Sequence, residues 1–169
     1  VMVIGCGMIG MGAIVRSALR GATVIAVDLD DEKLELAKRI GAHHTINSMT
    51  ENVHECLTKI TEGLGPDVVI EAVGSPATYV MAVNEVGFTG RVVCIGYAKS
   101  EVSFQTKYFV QKELDIRGSR NALPTDFRAV IRYMDQGTCP KNELISNVVK
   151  PEAAIPAMKE WAAAPGNVL

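Results

Sequence analysis

The hydrophobic positions of this chain fall into short continuous runs, and most runs are followed by a stretch with helical spacing. Val1-Met2-Val3-Ile4 is the first, and it predicts a strand over residues 1–4. Residues 8–19 read as an apolar helix, with Gly21 suited to its C-terminal cap. Residues 23–27 are β-branched at most positions and predict the second strand. Asp30 can cap a helix running through Ile40, with Asp31 and Glu32 in its first turn and Lys38-Arg39 in its last. Gly41 stops it, and Thr45-Ile46 makes a short third strand. An amphipathic helix over 52–61 leads to a strand over 67–71 that ends in Gly74-Ser75-Pro76. A helix over 77–86, a strand over 91–95 closing at Gly96, a short helix around Tyr108 to Lys112 and a strand over 114–118 follow. Leu123-Pro124 leads into a helix over 125–136, and the tail from Leu144 reads as a short strand followed by a helix over 151–163.

Strands that are continuously apolar, each separated by a helix, predict a parallel sheet covered on both faces. The chain is therefore an α/β protein of doubly wound, Rossmann type, with about six strands. No internal repeat or low-complexity segment interrupts the series.

The turn after the first strand is Gly5-Cys6-Gly7-Met8-Ile9-Gly10, a G-x-G-x-x-G pattern. Gly5 permits the tight turn, Gly7 lets the backbone approach a pyrophosphate, and Gly10 allows close helix–sheet packing. The free N–H groups around Met8 and Ile9 would then face the phosphate charge. Asp28 closes the second apolar run at the distance expected of the acid that accepts hydrogen bonds from the adenosine ribose. A carboxylate there repels a 2′-phosphate, and no arginine lies between Asp28 and Lys38. The expected cofactor is NAD rather than NADP.

Composition adds limits rather than a function. The 169 residues suit one domain with a real core, with 48% hydrophobic and 21% charged residues and a formal net charge of −2. No basic run exceeds the pair Lys38-Arg39, so no nucleic-acid partner is expected. Residues 1–15 carry no charge but hold four glycines and are too short to span a bilayer, so no membrane association is expected either. Cys6, Cys56, Cys94 and Cys139 are far apart and form no C-x-x-C, which argues against a zinc ribbon or a disulfide framework and makes the cytoplasm the expected location.

The ordered set of motifs resembles the cofactor domain of the zinc-dependent medium-chain alcohol and polyol dehydrogenases. The resemblance covers essentially the whole chain. It is carried by Val-Ile-Gly-Cys-Gly-Met-Ile-Gly (3–10), Val-Asp-Leu-Asp-Asp-Glu-Lys-Leu-Glu-Leu-Ala-Lys (27–38) and Gly-Ala-His-His-Thr-Ile-Asn (41–47). Asp-Val-Val-Ile-Glu-Ala-Val-Gly (67–74), Gly-Arg-Val-Val-Cys-Ile-Gly (90–96) and Ile-Arg-Gly-Ser-Arg-Asn (116–121) continue it. The resemblance implies that Ile9 packs on the nicotinamide ring and that Lys33 helps bind the adenosine ribose beside Asp28. It implies that Val73 and Gly74 lie along the cofactor. Backbone groups of Ile95, Ser119 and Asn121 would hold the carboxamide, and Gly96, at the end of the same strand as Ile95, is counted with them.

The resemblance also implies hydride transfer between NAD and an alcohol bound to a catalytic zinc, with the zinc ligands on a GroES-like domain that precedes the cofactor domain. No catalytic residue and no metal ligand is expected within this chain. Val1 already lies in the first strand and residues 166–169 stand where the family begins a last strand, so the chain is expected to be a cofactor domain (1–143) with a return segment (144–169) from a larger enzyme. The stretch 118–123 resembles polyol and sugar-acid dehydrogenases, and a homo-oligomer formed through the sheet edge near Glu101 to Phe104 is implied.

Other candidates are weaker. His43 and His44 are adjacent on a strand, so their side chains should diverge, and His54 stands alone on a polar helix. Tyr108 and Lys112 satisfy the Y-x-x-x-K pair of short-chain dehydrogenases, but that class needs G-x-x-x-G-x-G, which here would begin on Cys6. A stand-alone nucleotide-sensing module with the same fold remains the alternative to an oxidoreductase domain.

Overall fold

The computed structural model describes residues 1–164. Six strands form one sheet: β1 (Met2–Ile4), β2 (Ile25–Asp28), β3 (His44–Asn47), β4 (Val68–Glu71), β5 (Arg91–Cys94) and β6 (Asp115–Gly118). Their order is β3-β2-β1-β4-β5-β6, and every neighbouring pair is parallel. The helices are α1 (Met8–Leu19), α2 (Asp31–Arg39), α3 (Val53–Ile60), α4 (Pro76–Glu85), α5 (Lys107–Gln111), α6 (Pro124–Asp135), α7 (Lys141–Leu144) and α8 (Ala154–Ala163), with a 3₁₀ turn over Pro151–Ala153. This is the doubly wound order, in which the chain reverses direction across the sheet between β1 and β4.

Two cores cover the two faces of the sheet. Val3 and Ala26 point to one face and pack with Met11 and Ile14 of α1 and Leu34 and Ala37 of α2. Met2, Ile4, Ile25 and Val27 point to the other and pack with Leu57 of α3, Val86 and Val92. Neighbouring residues of one strand thus feed opposite cores, which is why the strands are apolar throughout.

The local signals behave as their chemistry requires. Asp30 caps α2, its carboxylate accepting the N–H groups of Glu32 (2.9 Å) and Lys33 (3.4 Å). Ser75 and Thr78 form a reciprocal capping box at α4, with Pro76 at the first helical position. The second strand begins later than the sequence suggests, at Ile25, because the N–H of Val24 is given to Nδ1 of His43.

Two expectations fail. The strand expected from Leu144 is absent: Leu144 ends α7, and residues 145–150 carry no regular structure. A strand exists only by pairing, and among the described residues the sheet ends at β6. The edge expected near Glu101 to Phe104 is also absent, because residues 101–105 form a loop and the outer strand on that side is β6. The expected break over 166–169 lies outside the described residues. No helix among the described residues is long and apolar enough to cross a membrane.

Candidate functional site

All parallel strands end on the same side, so the turns after β1, β2, β4, β5 and β6 meet along one edge. Asp28 ends β2, and Gly5, Val73, Gly74, Ile95, Gly96, Ser119 and Asn121 follow the ends of β1, β4, β5 and β6. In an open α/β sheet the crevice outside the carboxyl ends, at the reversal between β1 and β4, is where a ligand fits.

The glycine loop is built by close approach. Gly5 has φ +92°, and its N–H donates to the Val27 carbonyl at 2.8 Å. A Cβ on Gly5 would lie 2.6 Å from Cγ2 of Val73. A Cβ on Gly10 would collide with the Gly5 carbonyl oxygen, so α1 crosses β1 at a distance only glycine permits. Gly7 differs: a Cβ there would meet nothing within 4 Å. Gly7 is the N-cap of α1, it provides no side-chain cap, and no acid occupies the first turn. The first N–H groups of the helix, including those of Met8 and Ile9, have no acceptor within it. Both side chains are exposed. Open space at Gly7 thus adjoins an uncapped, acid-free helix start, whose free N–H groups and dipole favour an anion.

Asp28 joins this loop directly. Its Oδ2 accepts the N–H of Cys6 at 2.5 Å, while Oδ1 accepts the N–H groups of Leu29 (2.7 Å) and Asp30 (3.2 Å). Lys33, in the first turn of α2, is close enough for its charge to act on the Cys6 thiol. Burial, and then the Asp28 charge, pushes that thiol up to about 12, so Cys6 is a protonated packing group. On the other side of β1, Ile95 and Gly96 give their N–H groups to the Glu71 carbonyl, both at 2.9 Å, and Ser119 gives its own to the Cys94 carbonyl at 2.9 Å. Ser119 and Asn121 are exposed beyond the end of β6.

One residue of this edge belongs to the 67–74 motif but has no role assigned from the sequence. Glu71 is 0% exposed, and its Oε1 accepts the N–H groups of Val73 (3.0 Å) and Gly74 (2.8 Å) and the hydroxyl of Thr78 (2.8 Å). The only signal in the sequence is an acid ending the apolar run Val-Val-Ile-Glu.

A model of the zinc-binding dehydrogenases matches residues 9–136. The chain belongs to the zinc-binding dehydrogenase family. Relatives of this family domain include an erythritol/L-threitol dehydrogenase of Mycolicibacterium smegmatis, 32% identical over 87% of the chain and 41% of its own length. A D-xylulose reductase of Scheffersomyces stipitis is 37% identical over 80% of the chain and 38% of its own length. Among solved structures, an alcohol dehydrogenase from E. coli CFT073 complexed with the cofactor NADH superposes with a TM-score of 0.88 at 25% identity, over 99% of this chain and 49% of that one. The chain spans less than half the length of these relatives.

Among its described residues the zinc-binding dehydrogenase chain carries no group of three or more His, Cys, Asp or Glu that could hold a metal ion. His43 accepts the Val24 N–H, and His54 Nδ1 lies 2.9 Å from Glu85 on α4, so both are engaged structurally. Lys112 of the Y-x-x-x-K pair donates to the carbonyls of Asn84 (2.6 Å) and Val86 (2.8 Å). It therefore caps the end of α4, at the sheet edge opposite the glycine loop.

Proposed function

We propose that the chain binds NAD along the carboxyl edge of its sheet and presents it for hydride exchange with an alcohol. The observation that carries this reading is the 2.5 Å bond between Asp28 and the Cys6 N–H, which joins the ribose-binding acid and the glycine loop in one unit. The relatives support it: one is named an NAD-dependent alcohol dehydrogenase, from Saccharolobus solfataricus. Gly7 and the N–H groups of Met8 and Ile9 would receive the pyrophosphate in a turn shaped by Gly5 and Gly10, the Ile9 side chain would pack on the nicotinamide ring, and Asp28 and Lys33 would bind the adenosine ribose. Val73, Gly74, Ile95, Gly96, Ser119 and Asn121 would line the nicotinamide half. Bound NAD supplies the ring that accepts or returns a hydride. The chain's own part is to bind and orient it.

The erythritol/L-threitol and D-xylulose names support a polyol as the substrate class. We assign the metal-held alcohol site to sequence outside this chain, so the chain alone would be inactive, with residues 1–143 as the cofactor unit and 144–169 as the segment leading toward that site. The oxidoreductase reading is preferred to a nucleotide sensor because the relatives are dehydrogenases. A homo-oligomer would form through the sheet edge, which among the described residues is β6. Four unpaired cysteines fit a reducing compartment, the cytoplasm.

Calorimetric titration with NADH and NADPH tests the central reading. Binding of NADH with weaker or no binding of NADPH is expected. Equal affinities, or no binding of NADH, would overturn it.

A further inference from the structure

Four of the positions assigned above to the nicotinamide half hang on one buried side chain and its carbonyl. Oε1 of Glu71 gathers the N–H groups of Val73 and Gly74 and the Thr78 hydroxyl. The Glu71 main-chain oxygen takes the N–H groups of Ile95 and Gly96. Tyr79, the next residue of α4, donates its hydroxyl to the Gly96 carbonyl at 2.7 Å. The turns after β4 and β5 are thus tied to each other and to the first turn of α4.

The second carboxylate oxygen sharpens the point. Oε2 of Glu71 is buried and has no hydrogen-bond partner. It lies against Gly96, where a Cβ would come within 2.5 Å of it. A buried carboxylate with one idle oxygen is a poor device for stability, since an apolar residue of similar volume would fill the space at lower cost. What an apolar residue could not do is hold the backbone of Val73 and Gly74. Asp28 ends β2 on one side of β1, the glycine loop follows β1 itself, and Glu71 ends β4 on the other side. A ligand lying across the reversal point would therefore meet the two groups with different halves.

We propose that Glu71 is a positioning residue for the nicotinamide half of the cofactor. It fixes the Val73–Gly74 turn through its side chain and the Ile95–Gly96 corner through its carbonyl, and Tyr79 completes the clasp. This rests on the NAD reading above.

The test compares two probes on the full chain: NADH, and ADP-ribose, which lacks the nicotinamide ring. In Glu71→Ala the NADH dissociation constant should rise about tenfold or more, with ADP-ribose changed by less than about twofold. Glu71→Gln keeps an acceptor oxygen and should recover part of the loss, to about threefold. Tyr79→Phe removes one hydroxyl and should weaken NADH by a similar factor. Thermal melting reports folding, and if Glu71→Ala does not fold, the other two variants carry the test. Loss of ADP-ribose affinity equal to that of NADH, or unchanged NADH affinity in both Glu71→Gln and Tyr79→Phe, would overturn the inference alone. A wild-type chain that binds neither probe would overturn the cofactor reading and the inference with it.

Discussion

The carboxylate of Asp28 accepts the main-chain N–H of Cys6 at 2.5 Å, across twenty-two residues of sequence. The acid at the end of β2 and the middle of the glycine loop are therefore one structure, not two motifs that share a ligand. Asp28 fixes the glycine loop and, in the proposed reading, would also present negative charge to the adenosine ribose.

Cofactor choice should follow that carboxylate. Asp28→Ala removes the acceptor for ribose hydroxyls and the group that repels a 2′-phosphate. NADH affinity should fall about tenfold or more, since a hydrogen bond to a charged group contributes about 1.5–3 kcal/mol. NADPH affinity should fall less, so the ratio of the two constants moves toward one. Fluorescence titration of both nucleotides measures it, and an unchanged ratio would count against Asp28 as the discriminating group.

The glycines of the loop should separate into two kinds. In Gly10→Ala the new methyl runs into the Gly5 carbonyl, a backbone atom that cannot rotate away. A loss on the order of 3 kcal/mol is expected in urea unfolding. In Gly7→Ala the methyl meets no protein atom within 4 Å, and φ is −77°, which alanine adopts freely. Stability should change by less than about 1 kcal/mol. NADH affinity should nevertheless fall about tenfold or more, because the methyl would occupy the open space proposed for the pyrophosphate. A Gly7→Ala variant that binds NADH normally would show that the pyrophosphate does not lie against Gly7.

The features that were legible in the sequence are those whose cause is local. The caps at Asp30 and Ser75, the glycine spacing and the apolar runs give the order of elements, because each depends on neighbours a few residues away. The expected strand after Leu144 failed because Val148-Val149 has strand composition but no strand beside it to pair with. The role of Glu71 was not legible for a related reason. Its fold-back onto Val73 and Gly74 follows from the burial of β4 and the docking of α4, and Tyr79 meets Gly96 only once β5 lies beside β4. The edge near Glu101 to Phe104 was inferred from resemblance, and among the described residues pairing ends with β6 instead.

Cys6 should be chemically inert while the chain is folded. Its thiol is fully buried and raised to about 12, first by burial and then by Asp28. At pH 8 the thiolate fraction should be about a thousandfold below that of an exposed cysteine with a pKa near 8.5. The folded state holds this proton more tightly than the unfolded state. The stabilising contribution is therefore full below about pH 8.5 and declines as pH rises from there toward 12. Mass spectrometry after iodoacetamide treatment at pH 8 should find Cys6 unmodified in the native chain and modified in urea. Rapid native modification would show that the loop opens.

The last strand carries an acid-sensitive clasp. Asp115 on β6 stands in register with Arg91 on β5, and its Oδ2 lies 2.9 Å from Arg91 Nε and 2.7 Å from Arg117 Nη2. Hydrogen bonds from Arg117 and then Arg91 hold its carboxyl below the usual carboxylate range. A carboxylate whose pKa is lower folded than unfolded stabilises the fold above its unfolded value, about 3.9, and that contribution disappears as pH falls through the folded value. Asp115→Asn should therefore have a lower urea midpoint than wild type at pH 7, and the gap should close as pH falls toward about 2. The clasp is solvent-exposed, so the gap at pH 7 should also shrink in about 1 M salt, where the screening length is about 3 Å. A gap of the same size at both pH values would mean that the variant acts through packing or strand preference, and that the charge of Asp115 does not hold β6 against β5.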